Sequence, residues 1–367
     1  MSDELLHLVR QRIRVHGPLR FDDFMSLALY SDPHGYYRSH VPGADSDYHT
    51  SGTLTPWFGR LVGRRLQQMW TELGSPPEFT VAEVGGGTGD LALAALDAAG
   101  DHPDFDKALR WTFVEPMPAV ADLQESRLGR MKHKVGWVDA LEHLGRQTGT
   151  ILANEVLDNF PFRVFEVGEY GVLEVRVDAT RGHLHETLVP AATDSDPALL
   201  APLEHLEIGD RFEVHTGIQA WVGSAATALE SGRVLVIDYG DLEPDLWTRR
   251  PAGSMVTYRR GQLGLDPFEH LGGTDITAHV NFSDLGRRLS AAGLEVQTPV
   301  AQREWLRSLG IANVVDDLRR QEAHARDEGR HPDWASAMAE RSRVQTLVGS
   351  PLGDYLVLEA SAVTPAR

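Results

Sequence analysis

The chain contains no cysteine, which excludes disulfides, thiolate metal sites, iron–sulfur clusters and cysteine nucleophiles. It also has no apolar run of about 18–20 residues, the length that a membrane-spanning helix requires. The N-terminus, Met1 to Arg10, carries acids where a secretory signal needs bases, and no apolar segment follows it. We therefore expect a soluble cytoplasmic protein with no membrane partner.

Basic residues are scarce, with 35 Lys and Arg against 53 Asp and Glu, giving a formal net charge of −18. Such a charge repels phosphate backbones, so we expect no nucleic-acid partner. It would favour a cationic substrate, although solubility explains it equally well. The histidines form no H-E-x-x-H pair or similar set, and no metal site is expected.

The 367 residues are 42% hydrophobic, enough to bury a sizeable core in two domains, or in one domain with insertions. Helix-like and β-type runs alternate along much of the chain, which predicts an α/β fold with a parallel sheet and right-handed crossovers. The predicted open-sheet strands number seven and begin near residues 79, 111, 135, 150, 233, 294 and 355.

The alternation predicts three segments with different roles. Residues 1–75 are predicted to form an N-terminal helical region, with helices over 3–15 and 18–31, and an active-site loop. A core is predicted from residues 76–161, 231–240 and 282–367, with a helical stretch over 302–346. An inserted α+β subdomain for substrate or partner contacts is predicted from residues 162–230 and 241–281, with glycine-rich loops over 240–275.

The strongest motif is EVGGGTGD at residues 83–90, at a predicted strand-to-helix turn. Gly85, Gly87 and Gly89 have the spacing G-x-G-x-G, which allows positive φ and a close backbone approach to a nucleoside. Glu83 suits the ammonium end of S-adenosylmethionine (SAM), whereas Asp90 would oppose the pyrophosphate of a dinucleotide. SAM binding is favoured over a dinucleotide site or a purely structural glycine turn.

Three more residues are predicted to contact the cofactor. Glu115 ends the second strand, where a carboxylate can accept both ribose hydroxyls, although a solvated strand-end acid is the alternative. Asp139 follows the third strand, at a position that often meets the adenine amino group. Asn154 ends the fourth strand and is also predicted to bind the cofactor.

Glu155 and Asp158 are the predicted catalytic residues. They follow the fourth strand three positions apart, so a helical turn would place both on one face. Two carboxylates near a methyl donor could hold a guanidinium and accept its proton. The alternative is a pair of helix-capping acids.

Further polar and aromatic residues are predicted to bind the substrate. They lie in the loop after the second helix, after the fifth strand, and in the polar run near residue 279. They are Tyr36, Tyr37, Thr50, Ser51, Asp238, Tyr239, Asp275 and His279.

These features together resemble the MidA-like SAM-dependent methyltransferases (formerly DUF185), a family that includes the mitochondrial complex I assembly methyltransferase. The resemblance extends over residues 17–311. The residues that carry it are 17–25 (GPLRFDDFM), 32–37 (DPHGYY), 50–51 (TS), 58–59 (FG), the glycine loop, 154–155 with 158, 238–240 (DYG), 275–282 (DITAHVNF) and 302–311.

The resemblance implies a class I methyltransferase fold, a Rossmann-like seven-stranded sheet with an N-terminal helical extension and an inserted α+β subdomain. It implies SAM as donor, S-adenosylhomocysteine (SAH) as product, and an arginine side chain of a partner protein as acceptor. Gly52 and Thr53 depart from the Pro-Glu pair usual in the family, in a region expected to lie over the substrate.

Other functions stay open at this point. A small-molecule methyltransferase of a biosynthetic pathway and a non-catalytic SAM-binding assembly factor would share the glycine loop. An NAD-dependent oxidoreductase is disfavoured by the G-x-G-x-G spacing. Exposed apolar residues of the insertion could also support a homodimer.

Overall fold

The computed structural model describes residues 3–40, 51–191, 201–264 and 266–362. The chain divides into two compact units. The first unit is Met1–Tyr48, Leu157–Trp221 and Gly240–Arg288. The second unit is His49–Val156, Val222–Tyr239 and Leu289–Arg367. The sequence predicted three parts, an N-terminal region, a core and an inserted subdomain, each with its own role. This division stays a prediction.

The described strands, in chain order, are β1 (Leu19–Arg20), β2 (Phe79–Val84), β3 (Leu109–Val114), β4 (Val135–Val138), β5 (Gln147–Asn154), β6 (Phe162–Gly168), β7 (Gly171–Thr180), β8 (His183–Pro190), β9 (Arg211–His215), β10 (Leu229–Asp238), β11 (Gly240–Asp241), β12 (Val256–Arg259), β13 (Gln262–Leu263), β14 (Asp275–Thr277), β15 (Val280–Asn281), β16 (Leu294–Val296), β17 (Val300–Ala301) and β18 (Leu356–Ala362).

The described α-helices are α1 (Asp3–His16), α2 (Phe21–Tyr30), α3 (Tyr36–Ser39), α4 (Ser51–Leu54), α5 (Pro56–Glu72), α6 (Asp90–Ala99), α7 (Pro103–Ala108), α8 (Pro118–Arg127), α9 (Ile218–Ala228), α10 (Asp245–Thr248), α11 (Phe282–Ala291), α12 (Gln302–Ser308), α13 (Ile311–Asp327) and α14 (His331–Thr346). Among the described residues, no helix is both long and apolar enough to cross a bilayer.

The second unit is built on an eight-stranded sheet in the order β16-β18-β10-β5-β2-β3-β4, with β17 also paired to β18. Strands β10, β5, β2, β3 and β4 are parallel, and β18 runs antiparallel to β10 and β16. Their apolar runs suit parallel strands with both faces covered. The core includes the fully buried Phe58, Trp111, Phe113 and Ile237.

The first unit contains three smaller sheets. The largest is antiparallel, in the order β1-β7-β6-β9 with β8 paired to β7. A two-stranded sheet joins β11 and β15, and a three-stranded sheet has the order β13-β12-β14. One apolar core packs α1 and α2 against the large sheet and includes Phe21, Phe24 and Phe162. The antiparallel pattern predicted for the chain after residue 162 is thus present.

Two predictions of secondary structure need correction. The second helix begins at Phe21 rather than residue 18, because Leu19 and Arg20 pair with Val177 and Arg176 of β7. The stretch 240–275 is not loop alone, because it contains α10 and the strand β12, which pairs with β13 and β14. The first difference comes from a pairing between residues that are distant in sequence.

Candidate active site

The glycine loop joins β2 to α6 in the second unit. Gly85, Gly87 and Gly89 have φ angles of +63°, +50° and +80°. Residues with side chains rarely adopt these values, so the loop conformation depends on glycine. Gly89 precedes the first residue of α6 in the left-handed conformation.

The middle glycine, Gly86, is required for another reason. A Cβ built on it would lie 2.6 Å from Cδ1 and Cε1 of Phe113 and 3.0 Å from the Cδ of Glu83. Gly86 therefore lets the loop pack directly against the Phe113 ring. Sequence reasoning gave this residue no role, although three consecutive glycines were the available signal.

Glu83 is buried below the glycine loop, with 3% of its surface exposed. The Nε1 of Trp111 donates a hydrogen bond of 3.0 Å to its Oε2. Burial raises the pKa of Glu83 to about 8, and the bond from Trp111 opposes that rise. A cationic group placed nearby would stabilise the charged carboxylate.

Glu115 follows β3 at the same sheet edge as the glycine loop. The pairing of Val84 with Val114 brings the two strand ends together, and the N–H of Gly85 donates to the carbonyl of Val114. The Oε1 of Glu115 accepts a 3.0 Å hydrogen bond from the N–H of Met117. Burial raises the pKa of Glu115 to about 7, partly opposed by that bond.

The other two predicted cofactor residues differ in exposure. The side chain of Asp139 is 71% exposed, and its Oδ1 lies 2.5 Å from the Nδ1 of His143. That hydrogen bond lowers the pKa of Asp139. The Oδ1 of Asn154 is buried and has no hydrogen-bond partner among the residues that the structure describes. A contact of Asp139 with adenine stays a prediction.

Glu155 is held in a conformation unusual for a glutamate, with φ of +54°. Its N–H donates to the carbonyl of Ile237, and its Oε1 accepts a 2.7 Å hydrogen bond from the N–H of Ser51. The short 3-10 helix that follows spans Leu157–Asn159. The prediction that one helical turn contains both Glu155 and Asp158 is therefore wrong, and the two residues belong to different units.

Hydrogen bonds within the second unit place Ser51 beside Glu155 and Asp238 beside the next residue, Val156. Ser51 is buried, and its Oγ lies 3.4 Å from Nε2 of Gln302. Asp238 is also buried, and its carboxylate accepts from the N–H groups of Val156 (3.1 Å) and Tyr239 (2.9 Å). The ring of Tyr239 lies 5.6 Å from that of Tyr355.

A second cluster lies in the first unit, around Asp275. Its Oδ1 accepts hydrogen bonds from Tyr37 Oη (3.1 Å) and Asn159 Nδ2 (3.2 Å). The hydroxyl of Tyr30 donates to the carbonyl of Asn159, and its ring stacks on Tyr37 at 5.5 Å. The buried Asp158 is in this unit, where its carbonyl accepts from the N–H of Ala278. Tyr30 and Asn159 had no predicted role.

Three of the predicted substrate residues are not in these clusters. Tyr36 is buried in the apolar core of the first unit. The N–H of His279 donates to the Oγ of Ser254 at 3.1 Å, and burial, with the nearby charge of Arg250, lowers the pKa of His279 to about 4. Thr50 lies outside the described residues. Their roles stay predictions.

The geometry of the second unit fits SAM. Gly85 and Glu115 follow β2 and β3, and Asn154 and Asp238 are the last residues of β5 and β10. These strands are parallel neighbours, so the four residues share the carboxyl edge of the sheet, where doubly wound folds bind ligands. The glycine loop lies at this edge, and the buried Oδ1 of Asn154 can accept a hydrogen bond from a ligand. Contacts of Glu83 with the ammonium and of Glu115 with the two ribose hydroxyls stay predictions.

A family model described as "Putative S-adenosyl-L-methionine-dependent methyltransferase" matches residues 61–300 of the chain. Similar curated proteins bear the name "Protein arginine methyltransferase NDUFAF7, mitochondrial". The Bos taurus protein is 26% identical over 338 residues, which cover 84% of this chain and 73% of that protein. The Danio rerio protein is 23% identical and covers 98% of this chain and 94% of its own length.

Two solved structures from Burkholderia thailandensis share the fold, each at 26% identity. One is a COG1565 superfamily member bound to S-adenosylhomocysteine, with a TM-score of 0.86 over 98% of this chain and 92% of that chain. The other is a native structure of a protein of the same superfamily, with a TM-score of 0.85 over 100% of this chain and 93% of that chain. The class I methyltransferase fold predicted from the sequence is confirmed.

The predicted cytoplasmic location is wrong. The similar curated proteins from cattle, mouse and human are all named as mitochondrial proteins. The N-terminal composition had indicated only the lack of a secretory signal.

Proposed function

We propose that this chain, which belongs to the family of SAM-dependent methyltransferases matched over residues 61–300, methylates an arginine side chain of a partner protein. Family membership confirms the predicted methyltransferase activity and the predicted cofactor. Arginine as the acceptor is supported by one observation above all: relatives aligned over most of this chain are named protein arginine methyltransferases.

The residues of the second unit are proposed to hold SAM as follows. The glycine loop would place its backbone against the ligand, and Glu83 and Asn154 would receive the amino-acid end. Glu115 would accept hydrogen bonds from both ribose hydroxyls. When bound, SAM supplies a methyl group already activated by its sulfonium, so the protein chiefly aligns and desolvates the reactants.

Glu155 is proposed to receive the proton that the acceptor nitrogen loses. Its Oε1 accepts from the N–H of Ser51 at 2.7 Å and from Nδ2 of Asn154 at 3.4 Å, and these donors fix the orientation of the carboxylate. The positive φ of Glu155 supports this role, because backbone strain at a residue with a side chain concentrates at functional sites. The catalytic role of Asp158, which lies in the first unit, stays a prediction.

The test uses the purified protein and methyl-labelled SAM. An extract of cells that lack the protein is incubated with both, and mass spectrometry locates the label. We expect methylarginine in a protein. Label found only on small molecules would reject the proposed acceptor, and binding of SAH without any transfer would favour a non-catalytic assembly factor.

Glu155→Gln tests the proton acceptor. The amide keeps the size of the side chain and can still accept from Ser51, but it cannot take up a proton. We expect transfer to fall by about 10²–10⁴, as for loss of a general base, while SAH binding by calorimetry stays within about threefold. A variant that methylates as fast as the wild type would remove Glu155 from the catalytic step.

A further inference from the structure

Gln124 is a fully buried polar residue on α8 with a hydrogen bond at each end of its amide. Its Nε2 donates to the carbonyl of Gly87 at 2.8 Å, and its Oε1 accepts from Nε1 of Trp137 at 2.9 Å. An indole N–H can only donate and a carbonyl can only accept, so these two partners fix the orientation of the amide. Gln124 thus links the glycine loop to β4.

The surroundings of Gln124 extend this link to the rest of the loop. Its Cγ would lie 3.6 Å from a Cβ built on Gly89. The ring of Trp137 stacks on Phe113 with centroids 5.9 Å apart, and Phe113 is the ring against which Gly86 packs. The backbone of the loop therefore contacts the side chains of Phe113 and Gln124 at Gly86, Gly87 and Gly89.

Such support matters because glycines resist ordering more than other residues do. Gly85, Gly87 and Gly89 all adopt positive φ, and other backbone conformations are open to each of them. A hydrogen bond to the Gly87 carbonyl restricts the peptide group between Gly87 and Thr88. Preorganising a binding loop raises affinity by lowering the entropy lost on binding.

We propose that Gln124 is a positioning residue for SAM, which orients the glycine loop through the carbonyl of Gly87 without itself contacting the ligand. The side chain acts through two partners, so both its donor and its acceptor are required. The proposal concerns the cofactor and does not depend on the identity of the methyl acceptor.

Gln124→Met removes both hydrogen bonds and keeps the length of the side chain. We expect the Kd for SAH, measured by calorimetry on the full chain, to rise about tenfold or more, because both buried hydrogen bonds are lost. At saturating SAM, kcat should stay within about twofold, because the bound loop regains its arrangement. The matched control is Glu125→Gln, at the exposed neighbouring position on α8, which should leave both values unchanged.

Gln124→Glu gives a signature that a packing role alone would not produce. At a pH of about 5.5 the protonated acid can donate to Gly87 and accept from Trp137, whereas at about 8.5 the carboxylate repels the Gly87 carbonyl. The ratio of variant to wild-type Kd should therefore rise with pH. SAH binding equal to the wild type at pH about 8.5 by either Gln124 variant would overturn the proposal.

Discussion

At the residue scale, the burial of Glu83 makes the stability of the protein depend on pH. Its pKa is raised to about 8 from an ordinary value of 4.5. Between these values the folded chain keeps a proton that the unfolded chain has lost, so unfolding releases a proton. The contribution of Glu83 to the free energy of unfolding therefore falls as pH rises from about 4.5 to 8, by at most about 1.4 kcal/mol per pH unit.

Glu83→Gln removes this titration. We expect the stability of the variant relative to the wild type to increase steadily between pH about 5 and 8, and to level off above about 8. Urea unfolding of both proteins at several pH values measures it. A difference in unfolding free energy that is constant with pH would show that Glu83 is ionised in the folded chain throughout this range.

The sequence predicted those site residues whose signal is local. Gly85, Gly87 and Gly89 could be assigned from spacing because their positive φ is a property of the turn itself. Gly86 and Gln124 could not, because their roles depend on Phe113 and Trp137, which reach the loop only through the sheet. The positive φ of Glu155 could not be predicted either, because the backbone of Glu155 bonds to Ile237, which is distant in sequence.

At the element scale, seven of the eight described strands of the second unit's sheet were predicted from the sequence. The two-residue β17 and several boundaries in the first unit were not. Strands such as β2 and β10 are apolar runs covered on both faces, and such runs are visible in the sequence. The two-residue β1 exists only because β7 pairs with it. Short strands of this kind follow from tertiary pairing, which local propensity does not report.

A network of ion pairs joins helices and strands of the second unit. Arg65 of α5 forms two hydrogen bonds of 2.8 and 2.7 Å with Glu359 of β18. Arg233 of β10 pairs with Glu72 at 2.7 Å and lies 3.5 Å from Glu359. The side chain of Glu359 is 8% exposed and that of Glu72 is 43% exposed. The two carboxylates share the same arginines but differ in solvation.

Glu359→Gln should destabilise the protein far more than Glu72→Gln. Removing the buried charge leaves the largely buried guanidinium of Arg65 without the carboxylate that accepts two of its hydrogen bonds, which costs about 3–5 kcal/mol. Loss of the half-exposed carboxylate should cost about 1 kcal/mol or less. Urea unfolding of both variants measures the contrast, and equal costs would mean that water or another acid compensates the arginines.

At the scale of the whole molecule, the chain combines a unit built on a mostly parallel sheet with a unit built on smaller sheets, and each unit is formed from three separate segments. The cofactor residues lie in the second unit, whereas Asp158 and the cluster around Asp275 lie in the first. The full sequence carries a formal net charge of −18. A long-range field of this sign attracts a cationic acceptor before any specific contact forms.

The charge predicts how acceptor use depends on salt. For a basic peptide that carries the target arginine, kcat/KM should fall about tenfold or more between about 20 and 500 mM NaCl, because screening removes the attraction. An acidic peptide with the same arginine should show the opposite trend. SAH, whose ammonium and carboxylate cancel, serves as the internal control, and its Kd should change much less. Equal salt dependence for the two peptides would mean that acceptor binding depends on local contacts and not on the charge of the whole chain.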